Sequence, residues 1–161
     1  MIKKLIIYFS LILFLPLQLL AESKKLPIPR FASIKSNEVN ARTGPSIKCS
    51  IEWIFVKKDE PIEVIAEYEQ WRQIQDVEGE GGWVHSSVLS GKRFVIVKNN
   101  DLIELLKYPT LDKKVVIARI SPGVRCKVKK CNQDFCSLVC KESKGWVHRE
   151  ELWGLYKNEQ L

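Results

Sequence analysis

Five cysteines and two histidines have the widest chemical range of any side chains in this 161-residue sequence. Cys126, Cys131, Cys136 and Cys140 fall within fifteen residues. Such a cluster could serve a metal centre, a nucleophilic thiol or a pair of disulfides. Zinc is disfavoured by the spacing: four, four and three intervening residues never form the Cys-x-x-Cys knuckle common to structural sites. A thiol nucleophile needs a base, and only His85 and His148 are available. The two occupy equivalent places in an internal repeat, so a structural role in the turn they share is expected, and no residue is assigned to catalysis. No Gly-x-Ser-x-Gly elbow, phosphate-binding loop or His-Glu-x-x-His motif occurs. Disulfides remain. Asn132-Gln133-Asp134 reads as a turn, and folding about it sets Cys131 opposite Cys136, with Cys126 and Cys140 near the hairpin's other end. The expected bridges are Cys131–Cys136 and Cys126–Cys140. Cys49 is left over, either buried and free or joining two chains as a homodimer. No metal or cofactor is expected.

Disulfides require an oxidising compartment, and the N-terminus points to one. Lys3 and Lys4 precede an apolar run from Leu5 to Leu15, and Leu19-Leu20-Ala21 offers a small residue before Glu22. That is the layout of a secretory signal peptide over residues 1–21. A retained anchor is the alternative, since the apolar stretch is nearly long enough to span a bilayer. Pro16 and the cleavage-like site favour removal, so no stable membrane span is expected afterwards and the protein is expected to be periplasmic or secreted. The whole chain carries a formal charge of +7, and without residues 1–21 the excess falls to five. It is dispersed. The densest cluster, Lys127, Lys129 and Lys130, alternates as the solvated face of a strand, and no nucleic-acid partner is expected.

The elements that must position these residues are strands. Gly82-Trp83-Val84-His85 returns as Gly145-Trp146-Val147-His148, 63 residues later, and each copy follows a β-patterned run. Residues 22–30, with Pro27 and Pro29, read as a linker. The first module is expected over 31–97 and the second over 98–157. Within the first, Ile62, Val64, Ala66 and Tyr68 alternate with Glu63, Ile65 and Glu67, and Ile51–Phe55 is aromatic and β-branched, as a half-buried strand should be. Glu78–Gly82 is a hairpin connection. His85-Ser86-Ser87 suggests a single helical turn, and Arg93–Val97 is expected to close the module. In the second, Val124, Cys126 and Val128 alternate with Arg125, Lys127 and Lys129. No helix-period segment competes. The chain is therefore expected to be all-β, with two tandem small barrels of five or six strands each after the signal peptide.

Asn40-Ala41-Arg42-Thr43-Gly44-Pro45-Ser46, Trp71-Arg72-Gln73-Ile74 and Gly82-Trp83-Val84-His85, taken together, resemble the bacterial SH3-like domain, often called SH3b. The resemblance covers nearly all of the first module. The second keeps Gly145–His148 but has Glu104, Leu106 and Tyr108 where the first has Asn40, Arg42 and Gly44. Its ending, Glu151–Tyr156, and Cys131–Cys136 are similar to those of a subgroup of exported tandem proteins without assigned chemistry. The resemblance implies two SH3-like barrels and a binding role, toward cell-wall peptides or toward protein partners.

The candidate ligand-binding residues are Asn40, Arg42, Trp53, Trp71 and Trp83. Tryptophans in so small a barrel serve first as core, because each buries a large apolar area. An aromatic cleft is equally a way to grip an extended peptide or sugar. Trp71 is the expected platform, since Ile74 rather than Gln73 should point inward. Arg42 and Asn40 have structural uses as well, Arg as a loop tie and Asn as a partner for turn amides. The reading is a non-catalytic exported protein that binds peptidoglycan peptides or an envelope protein. The alternatives are an interaction scaffold without wall binding and a thiol-dependent wall hydrolase.

Overall fold

The computed structural model describes residues 26–98 and 100–161. The expected signal peptide, 1–21, and residues 22–25 of the linker lie outside the described residues. Two seven-stranded antiparallel sheets follow one another with the same plan. The first comprises β1 (Arg30–Ile34), β2 (Val39–Arg42), β3 (Ile51–Phe55), β4 (Pro61–Tyr68), β5 (Trp71–Gln75), β6 (Gly81–His85) and β7 (Leu89–Ser90), ordered β3-β2-β6-β5-β4-β1-β7. The second comprises β8 (Phe94–Val97), β9 (Ile103–Leu106), β10 (Val116–Ile120), β11 (Arg125–Cys131), β12 (Phe135–Cys140), β13 (Ser143–His148) and β14 (Leu152–Trp153), ordered β10-β9-β13-β12-β11-β8-β14. A single 3-10 turn follows β6 at Ser86–Val88 and β13 at Arg149–Glu151. Neither sheet closes on itself by hydrogen bonds among the described residues. The barrels are open between β3 and β7 and between β10 and β14.

The repeated Gly-Trp-Val-His phrase has a physical reason at each position. Gly82 and Gly145 let β6 and β13 approach their neighbours: a Cβ at either would stand 2.7 Å from the carbonyl oxygen of Arg42 or of Leu106. Trp83 pairs with Gln73 on one side and Arg42 on the other, and Trp146 pairs with Ser137 and Leu106. Val84 and Val147 point the other way, into the two cores. Each core is its own cluster. Ile34, Ile62, Val64 and Ile74 join Val84 in the first, and Val95, Leu105, Cys126 and Leu138 join Val147 in the second. Each such aliphatic side chain contributes about 1.5–3 kcal/mol by leaving water.

Two expectations change. Phe94–Val97 does not close the first module. It is β8, hydrogen-bonded to β11 and β14, with Val95 and Val97 in the second core. It opens the second unit as Arg30–Ile34 opens the first. Nor is β3 half-buried. As the edge of its sheet it has no neighbour to cover it, and Ile51, Trp53 and Ile54 stand exposed while Phe55 alone is buried.

The structure joins Cys126 to Cys140 and Cys131 to Cys136, stapling β11 to β12 at both ends. The modules also dock. Phe31 meets Trp153 edge-to-face with centroids 5.0 Å apart and lies 4.7 Å from the Tyr156 ring. Arg125 forms an ion pair with the buried Glu60. Beyond β14 the chain runs back along its own module. Arg93 pairs with Glu159 and donates to the Gly154 carbonyl, and buried Arg149 donates to the carbonyls of Asn132, Lys157 and Glu159.

Candidate functional site

Strand register decides which candidate residues meet. Arg42 on β2 lies opposite Trp83 on β6, which lies opposite Gln73 on β5. Trp71, two residues before Gln73, shares that face and lies opposite His85. Ile74 points into the core, nearly sealed from water. Trp71 is half-buried, its ring edge-on to His85 with centroids 5.8 Å apart. By alternation along β2, Asn40 is on the face of Arg42. It is exposed and makes no side-chain hydrogen bond among the described residues, so it satisfies no turn amide.

Trp53 stands apart. Its partner is the buried Ala41, which puts it on the other side of the sheet from Arg42 and Trp83. There it lines a cleft of about 310 Å³ where β3 faces the second module, together with Val56, Ile96, Gly123 and Arg125. The five candidates therefore form one face of four residues and one separate edge residue.

Arg42 is also a tie. Its Nη1 donates to the Cys49 carbonyl at 2.7 Å and so fixes the loop between β2 and β3. In the same loop a Cβ at Gly44 would lie 2.9 Å from Cys49 Sγ, so the half-buried thiol occupies the space that glycine leaves open. The histidines have diverged. His85 Nδ1 accepts from the Ser87 amide at 3.2 Å and lies 2.7 Å from Ser87 Oγ, capping the 3-10 turn. His148 caps nothing and packs edge-on against Phe135 at 5.2 Å.

Sequence reasoning missed a further cleft. It lies in the second module, about 660 Å³, between the start of β9, the β9–β10 loop and the turn after β13. Leu106, Phe135 and Val147 give it an apolar floor, and Glu104, Lys114 and His148 stand at its sides. Lys114 Nζ reaches Glu104 at 2.5 Å, so much of that charge is internally paired. The signal was present in Glu104 and Leu106, where the second module departs from the first. It was unreadable without knowing that the β9–β10 loop folds back over them.

Burial and charge act together at the seam between the modules and in the segment after β14. Burial holds the Glu60 carboxyl above its ordinary value, and neighbouring Arg125 only partly offsets it. Burial likewise raises the Tyr156 hydroxyl, helped by its hydrogen bond to Glu63. At Glu159 burial acts upward but is outweighed by the Arg93 hydrogen bonds, the Tyr156 amide and the charges of Arg93 and Arg149, so its carboxyl sits low. Among the described residues no three His, Cys, Asp or Glu side chains gather as a metal would require.

The family described as Bacterial SH3 domain matches twice, at residues 35–91 and 100–154. The chain belongs to that family. Its two matched segments coincide with the two sheets, each a bacterial SH3 domain lacking only its opening strand. No curated protein matches the chain. Among solved structures it is similar to NlpC2 from Trichomonas vaginalis, at 10% identity and a TM-score of 0.35 over 80% of this chain and 49% of that one. NlpC1 from the same organism gives 10% and 0.35 over 81% and 47%. The chain spans about half the length of these structures, and at that similarity nothing is carried across from them.

Proposed function

We propose that this protein is a non-catalytic binding protein of the bacterial envelope, exported to the periplasm or beyond, whose ligand is a peptide of the cell wall. The observation that supports this most is the face formed by Arg42, Trp83, Gln73 and Trp71, where two half-exposed indoles flank amide and guanidinium donors on a rigid sheet. Aromatic platforms with a few polar groups hold extended peptides and sugars in this manner. Bacterial SH3 domains are binding modules in general, though a fold alone does not choose a ligand. Two disulfides in the second module suit an oxidising compartment. Among the described residues no helix is long and apolar enough to cross a membrane. In this reading the first module, residues 31–97 less the strand that opens the second, carries the site, and the second braces it.

The test is co-sedimentation with purified peptidoglycan, beside Trp71→Ala. Pelleting of the wild type but not of a folded Trp71→Ala variant supports the reading. No pelleting at low salt removes it.

A second reading, an interaction scaffold, is favoured by one observation. The β3 edge exposes Ile51, Trp53, Ile54 and Val56, and Cys49 stands just before it. Exposed apolar edges invite strand pairing. A Cys49-dependent dimer on non-reducing gels would support this alternative. A thiol-dependent hydrolase has less to draw on, since Cys49 is the sole free thiol among the described residues and sits in the Gly44 loop, while His85 serves Ser87.

A further inference from the structure

The two modules share one ladder, so each position of the second can be compared with its twin in the first. Both carry a bulge on the long strand, between Val64 and Ala66 and between Val128 and Lys130. Across the outer face of the first module the ladder reads Glu63–Gln75–Gly81 and Ala66–Gln73–Trp83. The same rows in the second read Lys127–Val139–Lys144 and Lys130–Ser137–Trp146. Three positions that are acidic, small or glycine in one copy are lysine in the other. The fold does not demand lysine there.

The sequence alone read Lys127, Lys129 and Lys130 as a solvated strand face. Register adds Lys144, two strand spacings or about 10 Å from Lys127. The Lys130 ammonium lies 5.4 Å from the centroid of Trp146, a half-buried ring whose cross-strand partners are Ser137 and Leu106. None of Lys127, Lys129, Lys130 and Lys144 is ion-paired among the described residues, whereas Arg125, at the start of the same strand, is spent on Glu60. Charge of one sign without internal partners on a flat face attracts an extended anion.

We propose that this β11–β12–β13 face binds a linear polyanion bearing phosphate groups. Lysine is a point charge on a flexible stem and can meet a phosphate in any orientation, whereas the one arginine of β11, whose fork would grip carboxylate or phosphate in a fixed plane, is held by Glu60. A membrane surface fits less well. Binding in the lipid interface draws on protruding apolar side chains, and none of the exposed large hydrophobic residues is on β11, β12 or β13. The site is on the second module and is independent of the aromatic face of the first.

The test is titration of the full chain with inorganic polyphosphate at two salt concentrations. A triple variant, Lys127→Gln, Lys130→Gln and Lys144→Gln, is set beside a control of equal charge loss on and next to the first module, Lys35→Gln, Lys48→Gln and Lys92→Gln. The expected result is salt-sensitive binding that the first variant weakens at least about tenfold and the control far less. Poly-glutamate and anionic-lipid vesicles are titrated in parallel. Equal losses in both variants would mean attraction by net charge alone, and tighter binding of poly-glutamate or of vesicles would mean another ligand. Either outcome, or no polyphosphate binding, overturns the proposal. Circular dichroism and a thermal melt confirm that each variant is folded. Sedimentation with the wall polymer is scored separately, through Trp71.

Discussion

The Tyr156 hydroxyl donates a 2.6 Å hydrogen bond to Glu63, across 93 residues of sequence and across the seam between the two modules. Both partners are half-buried, and the same Glu63 also accepts from Gln75 at 2.9 Å. Beside it, Phe31 is enclosed by Trp153, Tyr156 and the Arg93 guanidinium, 5.7 Å from its centroid. The tail of the second module thus serves as packing for the first. A bacterial SH3 domain of about 60 residues has a small core, and docking supplements it.

Removing this bond should cost measurable stability. Tyr156→Phe keeps the ring against Phe31 and deletes only the donor, so a loss of about 1 kcal/mol is expected in urea denaturation. Trp153→Ala should cost more and split a single transition into two, because the aromatic contact is what couples the modules. One unchanged transition in both variants would show that neither contact supplies that coupling.

The disulfides should stabilise unequally. Cys126–Cys140 closes a loop with a sequence separation of 14, and Cys131–Cys136 one of 5. Chain-entropy reasoning gives about 3 and about 2 kcal/mol respectively. Paired Cys→Ser variants measured by denaturation check the order, and full reduction should unfold the second module before the first.

Acid should loosen the C-terminal segment first. Glu159 titrates below its ordinary 4.5 in the folded protein. Its contribution is therefore present above 4.5 and lost as pH falls through the lowered value. Glu60 has the opposite sign: its carboxyl is raised, so the contribution is present below 4.5 and fades as pH rises through the folded value. Glu159→Gln should remove part of the acid limb of a stability–pH profile, and Glu60→Gln should flatten the limb just above 4.5. Superimposable profiles would contradict both assignments.

Cys49 should be a slow thiol. It is half-buried, packed against Gly44, and its carbonyl is held by Arg42. Arg42→Ala should release the loop and accelerate labelling by a thiol reagent several-fold with only local loss of structure. Fast labelling of the wild type would mean the loop is open in solution.

Much of the architecture could be read from residue order. Strict alternation in Val124–Lys129 places Cys126 and Val128 inward, as found. The turn at Asn132–Asp134 sets Cys131 opposite Cys136, and Asn132 Oδ1 does accept from the Asp134 and Phe135 amides there. The His85 turn was legible too. What alternation cannot report is which strand lies beside which. Phe94–Val97 reads as a strand in either module, and its assignment to the second depends on hydrogen bonds to residues around 125 and 153.

By itself the sequence determined an all-β chain in two copies, the inward faces of its best-patterned strands and the cysteines able to meet across one hairpin. All of these follow from spacing along the chain, because side-chain alternation and short turns are local geometry. Only tertiary structure decided that Trp53 lies away from Trp71 and Trp83, that Tyr156 reaches Glu63, and that Lys144 joins Lys127 on one face. Those relations depend on the register and order of strands distant in sequence, which are chosen by burial of the whole sheet rather than by any segment's own preference.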